Sequence, residues 1–282
     1  MAERQVQGER RVMETLTLND GGRLPVLGLG TWQMGGGRSR DYSRDDEMIA
    51  IIRDAIEMGY THIDTAEMYG VGHCEELVGR AMQNFAREDI FLTTKVLADN
   101  LRYDDLLRAL DRSLEHLQTE YADMYLIHWP NPDVPLEESF RALNRMAAEG
   151  RVKRVGVSNF DVALLREAQE LCATPVVTNQ VRYNLHSREP EENGLLRYCQ
   201  ENNVVLTAYC PLKDGVMQNE TVQAVARKHG ASAAQVAIRW LTRQPQVVTI
   251  PMSTNRDHLR QNLEALTLAL DEEDVQRLDA SG

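Results

Sequence analysis

The chain has 282 residues, 43% hydrophobic and 26% charged, a composition that suits a soluble globular protein with ample core. Its net charge of −12 argues against nucleic acid or an anionic membrane as a partner, while leaving room for one basic pocket. No apolar run approaches the roughly 18 residues that a membrane helix needs.

Residues 1–13 alternate Glu, Arg and Gln around no apolar segment, so they read as a frayed tail and not as a secretory signal. Residues 14–282 read as one domain. Thr15–Leu18 alternates polar and apolar positions, Asn19-Asp20-Gly21-Gly22 tolerates positive φ, and Arg23–Val26 follows, which is a hairpin signal. Leu27–Gly30 is the next apolar strand. Ser43 with Asp46 predicts a capping box, and Met48, Ile51, Ile52, Ala55 and Ile56 repeat at helical spacing up to a stop at Gly59.

The pattern then recurs. A strand ends at Asp64 and a helix follows over about 74–85. A strand ends at Lys95, and Leu106, Leu107, Leu110, Leu114 and Leu117 line one face of a longer helix. A strand ends at His128, and a helix runs to about Ala148. Val155–Val157 precedes a helix capped by Asp161, Val176–Gln180 precedes a helix over about 192–202, and Val204–Tyr209 precedes helices near 220–228 and 233–243, the second holding Trp240 as core. Val247–Ile250 is the last strand, and two short helices follow. Eight strand centres, near 29, 63, 93, 126, 156, 178, 207 and 249, alternate with helices. Short apolar strands between amphipathic helices are parallel and buried on both faces, and eight such units predict an α/β fold of the (β/α)8 TIM barrel type. The doubly wound sheet is the alternative, but no GxGxxG turn follows the first strand. The hairpin is placed across the N-terminal mouth, the barrel bottom.

Residues at the C-terminal ends of barrel strands converge on one mouth. Asp64, Lys95 and His128 end three successive strands, and Tyr69 stands in the loop beside the first. A phenol has an ordinary pKa near ~10, too high for ready proton donation at neutral pH. An ammonium beside it is expected to lower that value, with Asp64 holding Lys95 and His128 offering a hydrogen bond to a carbonyl oxygen. Each residue alone also reads as a satisfied buried polar group; the four together point to proton transfer. Lys95 speaks against a metal at this site. The four cysteines, Cys74, Cys172, Cys199 and Cys210, lack CxxC or zinc-like spacing and suggest free thiols in a reducing cytoplasm.

The chain resembles the aldo-keto reductases from about Thr15 to its end. The motifs are Gly28-Leu-Gly-Thr-Trp32, Asp64-Thr-Ala-Glu-Met-Tyr69-Gly70, Thr94-Lys95, Leu126-Ile-His128-Trp129-Pro130, Gly156-Val-Ser-Asn-Phe160, Asn179-Gln180, Ala208-Tyr209-Cys-Pro-Leu212 and Ile250-Pro251. The resemblance implies a barrel that transfers hydride from a nicotinamide cofactor to an aldehyde or ketone, with Tyr69 as general acid of an Asp64, Tyr69, Lys95, His128 tetrad. It further implies that Ser158, Asn159 and Gln180 hold the carboxamide and that Tyr209 stacks on the nicotinamide ring. Gly30, Thr31 and Trp32 would line the same mouth, and Trp32 and Trp129 would wall the substrate pocket. Pro211, Leu212, Ile250, Met252, Ser253, Thr254, His258, Gln261 and Asn262 would contact the rest of the cofactor.

Two departures from the family pattern stand out. Met252 and His258 replace a lysine and an arginine that in many members face the 2′-phosphate of NADP(H), so NAD(H) is expected to serve as well, with Arg256 or Arg260 as compensating cations. Arg182 and Asn184 suggest a separate subgroup. The short segment Trp129–Leu136 and the short tail after Leu278 imply an open mouth for varied carbonyl substrates. A monomer or weak oligomer is expected. The competing readings are a nicotinamide-binding barrel acting as a regulatory or structural subunit, and a barrel isomerase using Lys95 as a Schiff-base amine.

Overall fold

The computed structural model describes residues 13–282; the tail expected over 1–13 lies, except for Met13, outside the described residues. Strands β1 (Thr15–Thr17) and β2 (Arg23–Pro25) pair antiparallel, as the turn residues between them predict. Eight parallel strands follow: β3 (Leu29–Gly30), β4 (His62–Asp64), β5 (Phe91–Val96), β6 (Met124–Ile127), β7 (Val155–Ser158), β8 (Val176–Arg182), β9 (Val205–Tyr209) and β10 (Val247–Thr249). Each pairs with the next in sequence. Backbone bonds from Gly28 N to Thr249 O (2.9 Å) and from Thr249 N to Val26 O (3.0 Å) join the last strand to the first. The result is a closed (β/α)8 barrel.

The helices are α1 (Asp45–Met58), α2 (His73–Met82), α3 (Tyr103–Leu117), α4 (Leu136–Ala148), α5 (Val162–Leu171), α6 (Glu189–Glu192), α7 (Leu195–Glu201), α8 (Glu220–His229), α9 (Ala233–Thr242), α10 (Arg256–Glu264) and α11 (Glu272–Asp279). The apolar stripes read from sequence are the faces they bury: Met48, Ile51, Ile52, Ala55 and Ile56 on α1, and Leu106, Leu110, Leu114 and Leu117 on α3. Asp161 accepts from Leu164 N and caps α5 as expected.

Three local readings change. Ser43 does not cap α1; its amide and hydroxyl both bond Asp41 Oδ1, at 2.9 and 2.6 Å, an Asx-type turn that competes with the cap. The expected helix over 74–85 ends at Met82. The one expected over 192–202 is broken between α6 and α7, where Gly194 takes the left-handed conformation.

Strand alternation sorts the side chains. Tyr125, Ile127, Val155 and Val157 point outward and pack against the helices. Met124, Leu126, Val177, Val205 and Val248 point inward and fill the barrel with Leu18, Leu24 and Val26 of the hairpin region. Asn19 Nδ2 bonds Val176 O (3.0 Å) and Asp20 pairs with Arg154 (2.7 Å), both at strand N-termini. The hairpin therefore closes the bottom, as expected, and the other end is left open for chemistry.

Candidate active site

The mouth of the barrel holds a cavity of about 390 Å³. Thirteen of the residues singled out in the sequence line it: Gly30 at the end of β3 with Thr31 and Trp32, Asp64 at the end of β4 with Tyr69, His128 and Trp129 after β6, Gln180 on β8, Tyr209 at the end of β9 with Pro211 and Leu212, and Ile250 and Met252 after β10. Gly30 has a positional reason: a Cβ there would stand 2.6 Å from Ile250 O, closer than any side chain is tolerated.

Lys95 lies one layer deeper and is fully buried. Its ammonium donates to Asp64 Oδ1 at 2.6 Å, to Thr65 O at 2.8 Å and to the Tyr69 hydroxyl at 3.2 Å. All three donor hydrogens of the ammonium are thereby used. Asp64 has its second oxygen on Gln180 Nε2, at 2.8 Å. A buried ion pair of this kind holds because every partner is satisfied; removing one member would leave a charge stranded. Tyr69 opens a short 3-10 turn, Tyr69–Gly72, and its ring stands edge-on to Trp32 and His128, with centroids 5.0 and 5.7 Å away. His128 stacks on Trp129 at 4.2 Å.

One electrostatic expectation is reversed. The Tyr69 phenol lies well above the ordinary tyrosine range, pushed up first by burial and then by the Asp64 carboxylate. Burial also lowers Lys95, against the pull of Asp64. Asp64 offsets the positive charge that was expected to draw the phenol down. His128 is pushed down to about 2, by burial first and Lys95 second, so its imidazole is neutral at any physiological pH.

Ser158 and Asn159 stand beside the lining. Ser158 Oγ donates to Gln180 O (2.7 Å), and Asn159 Nδ2 donates to His128 O and Ser158 Oγ, both at 3.0 Å. The Tyr209 hydroxyl donates to Asn159 Oδ1 (3.0 Å). These amide and hydroxyl groups form one network that ends on the Tyr209 hydroxyl, a set of polar groups beside an aromatic ring that fits a carboxamide on an aromatic ring.

The C-terminal segment is placed differently. Ser253, Thr254, His258, Gln261 and Asn262 do not line this cavity. Thr254 borders a second one, of about 350 Å³, with Glu47, Asn255, Arg256 and Asp257. Ser253 bonds the Asn255 backbone, His258 is exposed, and Asn262 is buried beside Tyr60. Arg256 is paired with Asp54 of α1, and Arg260 with Asp257 at 2.9 Å.

Sequence reasoning passed over several residues that shape the mouth. Glu67 accepts from Leu97 N, Asn100 and Arg112, tying the Tyr69 loop to the loop after β5. Its place inside the Asp64–Gly70 motif was the available signal. Asp214 accepts from Arg182, Asn184 and Ser187, pinning the loop that carries Pro211 and Leu212; this accounts for the unusual Arg182 and Asn184. Arg38 and Lys213 also line the cavity, as do Met68 and Cys210, which the motifs contained without a role at the site.

A sequence profile described as the aldo/keto reductase family matches residues 26–282. A methylglyoxal reductase of Escherichia coli, YeaE, is 37% identical over 91% of this chain and 90% of its own length. A glyoxal reductase of Bacillus subtilis is 35% identical over 95% and 92%. Among solved structures, a thermostable aldo-keto reductase, Tm1743, in complex with the inhibitor epalrestat has a TM-score of 0.92 at 47% identity, covering 96% of this chain and 100% of its own. An aldo/keto reductase of Klebsiella pneumoniae in complex with NADP and acetate has a TM-score of 0.86 at 37% identity, covering 95% of each.

Proposed function

The chain belongs to the aldo/keto reductase family, and from that premise we propose that it reduces an aldehyde or ketone to the alcohol, with Tyr69 delivering the proton. The bound nicotinamide cofactor, NADPH with NADH also accepted, supplies the hydride. Two of the relatives are named for methylglyoxal and glyoxal, and a similar structure holds NADP, which supports small carbonyl substrates and this cofactor.

The observation that carries the reading is the chain of contacts Asp64–Lys95–Tyr69 opening on the cavity beside His128. The phenol keeps its proton until an alkoxide develops next to it. The Lys95 ammonium, 3.2 Å from the hydroxyl, then stabilises the phenolate left behind. His128, neutral, is suited to donate a hydrogen bond to the same oxygen without competing for the proton. Ser158, Asn159 and Gln180 would orient the carboxamide, and Tyr209 would supply the face on which the ring rests. Trp32, Trp129 and Leu212 would give the reacting atoms apolar walls.

The test is oxidation of NADPH and of NADH in the presence of benzaldehyde, with the wild type and Tyr69→Phe. Loss of a positioned general acid is expected to lower kcat by about 10²–10⁴-fold. Turnover by the variant within a few-fold of wild type would refute the assignment. The alternative of a regulatory nicotinamide-binding subunit predicts dinucleotide binding without turnover in either protein. A barrel that used Lys95 as a Schiff-base amine would give a borohydride-trapped adduct, which the pairing of Lys95 with Asp64 disfavours.

A further inference from the structure

The loop between β3 and α1 carries three arginines, and they meet different fates. Arg44 pairs with Glu47 through two bonds of 2.8 and 2.6 Å. Arg40 lies 3.2 Å from Glu76 and donates to Tyr42 and to Val71 O. Arg38 lines the cavity and has no carboxylate or hydrogen-bond partner among the described residues. Arg38 is exposed, so its guanidinium is open to solvent and to a ligand entering the cavity.

The loop presents Arg38 from a fixed base. Gly36 N bonds Gln33 O (3.3 Å), Asp41 N bonds Gly35 O (3.0 Å), and Gly35 N bonds Cys74 Sγ (3.1 Å). Gly36 has φ +99°, a conformation that only glycine adopts readily, so this turn is written into the Gly35-Gly36-Gly37 run. Gly70 N then bonds Gly37 O at 2.8 Å. The residue before Arg38 is thus tied directly to the residue after Tyr69, and the two side chains open on one cavity with a shared frame.

Charge on the rest of the lining supports an anion. Among the described residues Asp64 is the one carboxylate there, and Lys95 and Gln180 already occupy both its oxygens. Lys213, from the loop after β9, adds a second cation. Trp32, Met68, Trp129 and Leu212 add aromatic and aliphatic wall among neutral polar residues such as Gln33. Apolar walls raise the strength of a charge at the rim.

We propose that Arg38 is an anion anchor for the substrate: the carbonyl compound this cavity takes carries a carboxylate, which the guanidinium receives while the carbonyl reaches Tyr69. This rests on the proposed carbonyl reduction. A planar guanidinium suits a carboxylate because two parallel N–H donors match its two oxygens.

The test compares 4-formylbenzoate with benzaldehyde, which differ by the carboxylate alone. Affinity for the dinucleotide-loaded protein is read by quenching of tryptophan fluorescence, and kcat/KM by NADPH oxidation. The wild type is expected to favour the charged aldehyde by about tenfold or more in both readouts, less at high salt. Arg38→Met is expected to bring that ratio close to one, Arg38→Lys to restore part of it, and Arg44→Met to leave it as in the wild type. A ratio near one in the wild type, or one that survives Arg38→Met, overturns the proposal. So does an Arg38→Met variant that loses dinucleotide affinity while keeping the aldehyde ratio, because the guanidinium then serves the cofactor's diphosphate. Absence of turnover with every carbonyl would refute the reductase reading, whereas the fluorescence ratio still decides the anchor.

Discussion

Cofactor choice can be moved by two substitutions at the C-terminal segment. Met252 is 37% exposed on the rim of the cavity, and His258 is exposed in the first turn of α10. The cations nearest in sequence are already engaged, Arg256 by Asp54 and Arg260 by Asp257. A 2′-phosphate arriving here would find no uncommitted guanidinium or ammonium within residues 252–262. Met252→Lys and His258→Arg would each add one charge-assisted hydrogen bond, worth about 1.5–3 kcal/mol when partly shielded. Exposure at both positions favours the lower end, so each substitution should tighten NADP+ binding by about tenfold and the pair by about a hundredfold. NAD+, which lacks the phosphate, should bind the variants as it binds the wild type. Dissociation constants from tryptophan quenching give the direct comparison, and kcat/KM with one aldehyde gives the kinetic one. The gain should shrink as salt rises, since the added pairs are solvent-accessible. A wild type that already prefers NADPH more than about a thousandfold would refute the reasoning, because two missing charged bonds leave no room for it. A double variant whose NADP+/NAD+ ratio moves by less than a few-fold would refute it equally.

Lys95→Met is expected to cost roughly 3–5 kcal/mol of unfolding free energy, read in urea, because Asp64 is left buried and charged; Lys95→Met with Asp64→Asn should recover part of it. Val71 has φ 54° and is exposed, so Val71→Gly should raise stability by about 1 kcal/mol, the relief of left-handed strain outweighing the extra freedom of glycine when unfolded. His62, held near about 4, and His128, held near about 2, are neutral in the folded chain, while their unfolded counterparts gain protons below pH 6.5. Their contribution is therefore complete above that pH and is lost as pH falls; His116, raised by Glu75, works in the opposite sense. Urea midpoints between pH 7 and 5 should decline, and His128→Gln should flatten the decline by about one proton in slope.

The barrel was legible because periodicity and strand ends are properties of single segments. His62–Asp64, Phe91–Val96 and Met124–Ile127 are short runs with a polar residue at or next to the C-terminal end, Asp64, Lys95 and His128, and their parallel pairing brings those residues to one mouth without further information. What was not legible depends on partners far away in sequence. Ser43 reads as a cap until Asp41 is seen to hold it. Arg38, Arg40 and Arg44 are alike in sequence, and only the positions of Glu76 and Glu47 separate the one that faces the cavity from the two that do not. Arg182 and Asn184 reveal their use only once Asp214, some thirty residues on, is placed beneath them.

The reversed direction at Tyr69 follows from the same limit, and it changes what Lys95 does. From sequence, an ammonium near a phenol lowers the phenol's pKa in the resting state. In the folded chain that ammonium sits 2.6 Å from Asp64, so at the Tyr69 oxygen its field is largely cancelled while the cost of burying a phenolate remains. A resting phenolate would be a useless acid, and this arrangement prevents one. In the proposed reduction Lys95 would instead act after transfer begins. The phenolate formed in that step would accept from an ammonium already 3.2 Å from the hydroxyl, with no side chain left to reorganise. Asp64 thus has two effects of opposite sign: it favours the charged form of Lys95 and holds it in place, and it raises the Tyr69 phenol against the pull of that charge. Asp64→Asn separates them. The phenol pKa should fall, visible as tyrosinate absorbance at lower pH than in the wild type, while turnover drops because Lys95 loses its anchor and, in part, its proton.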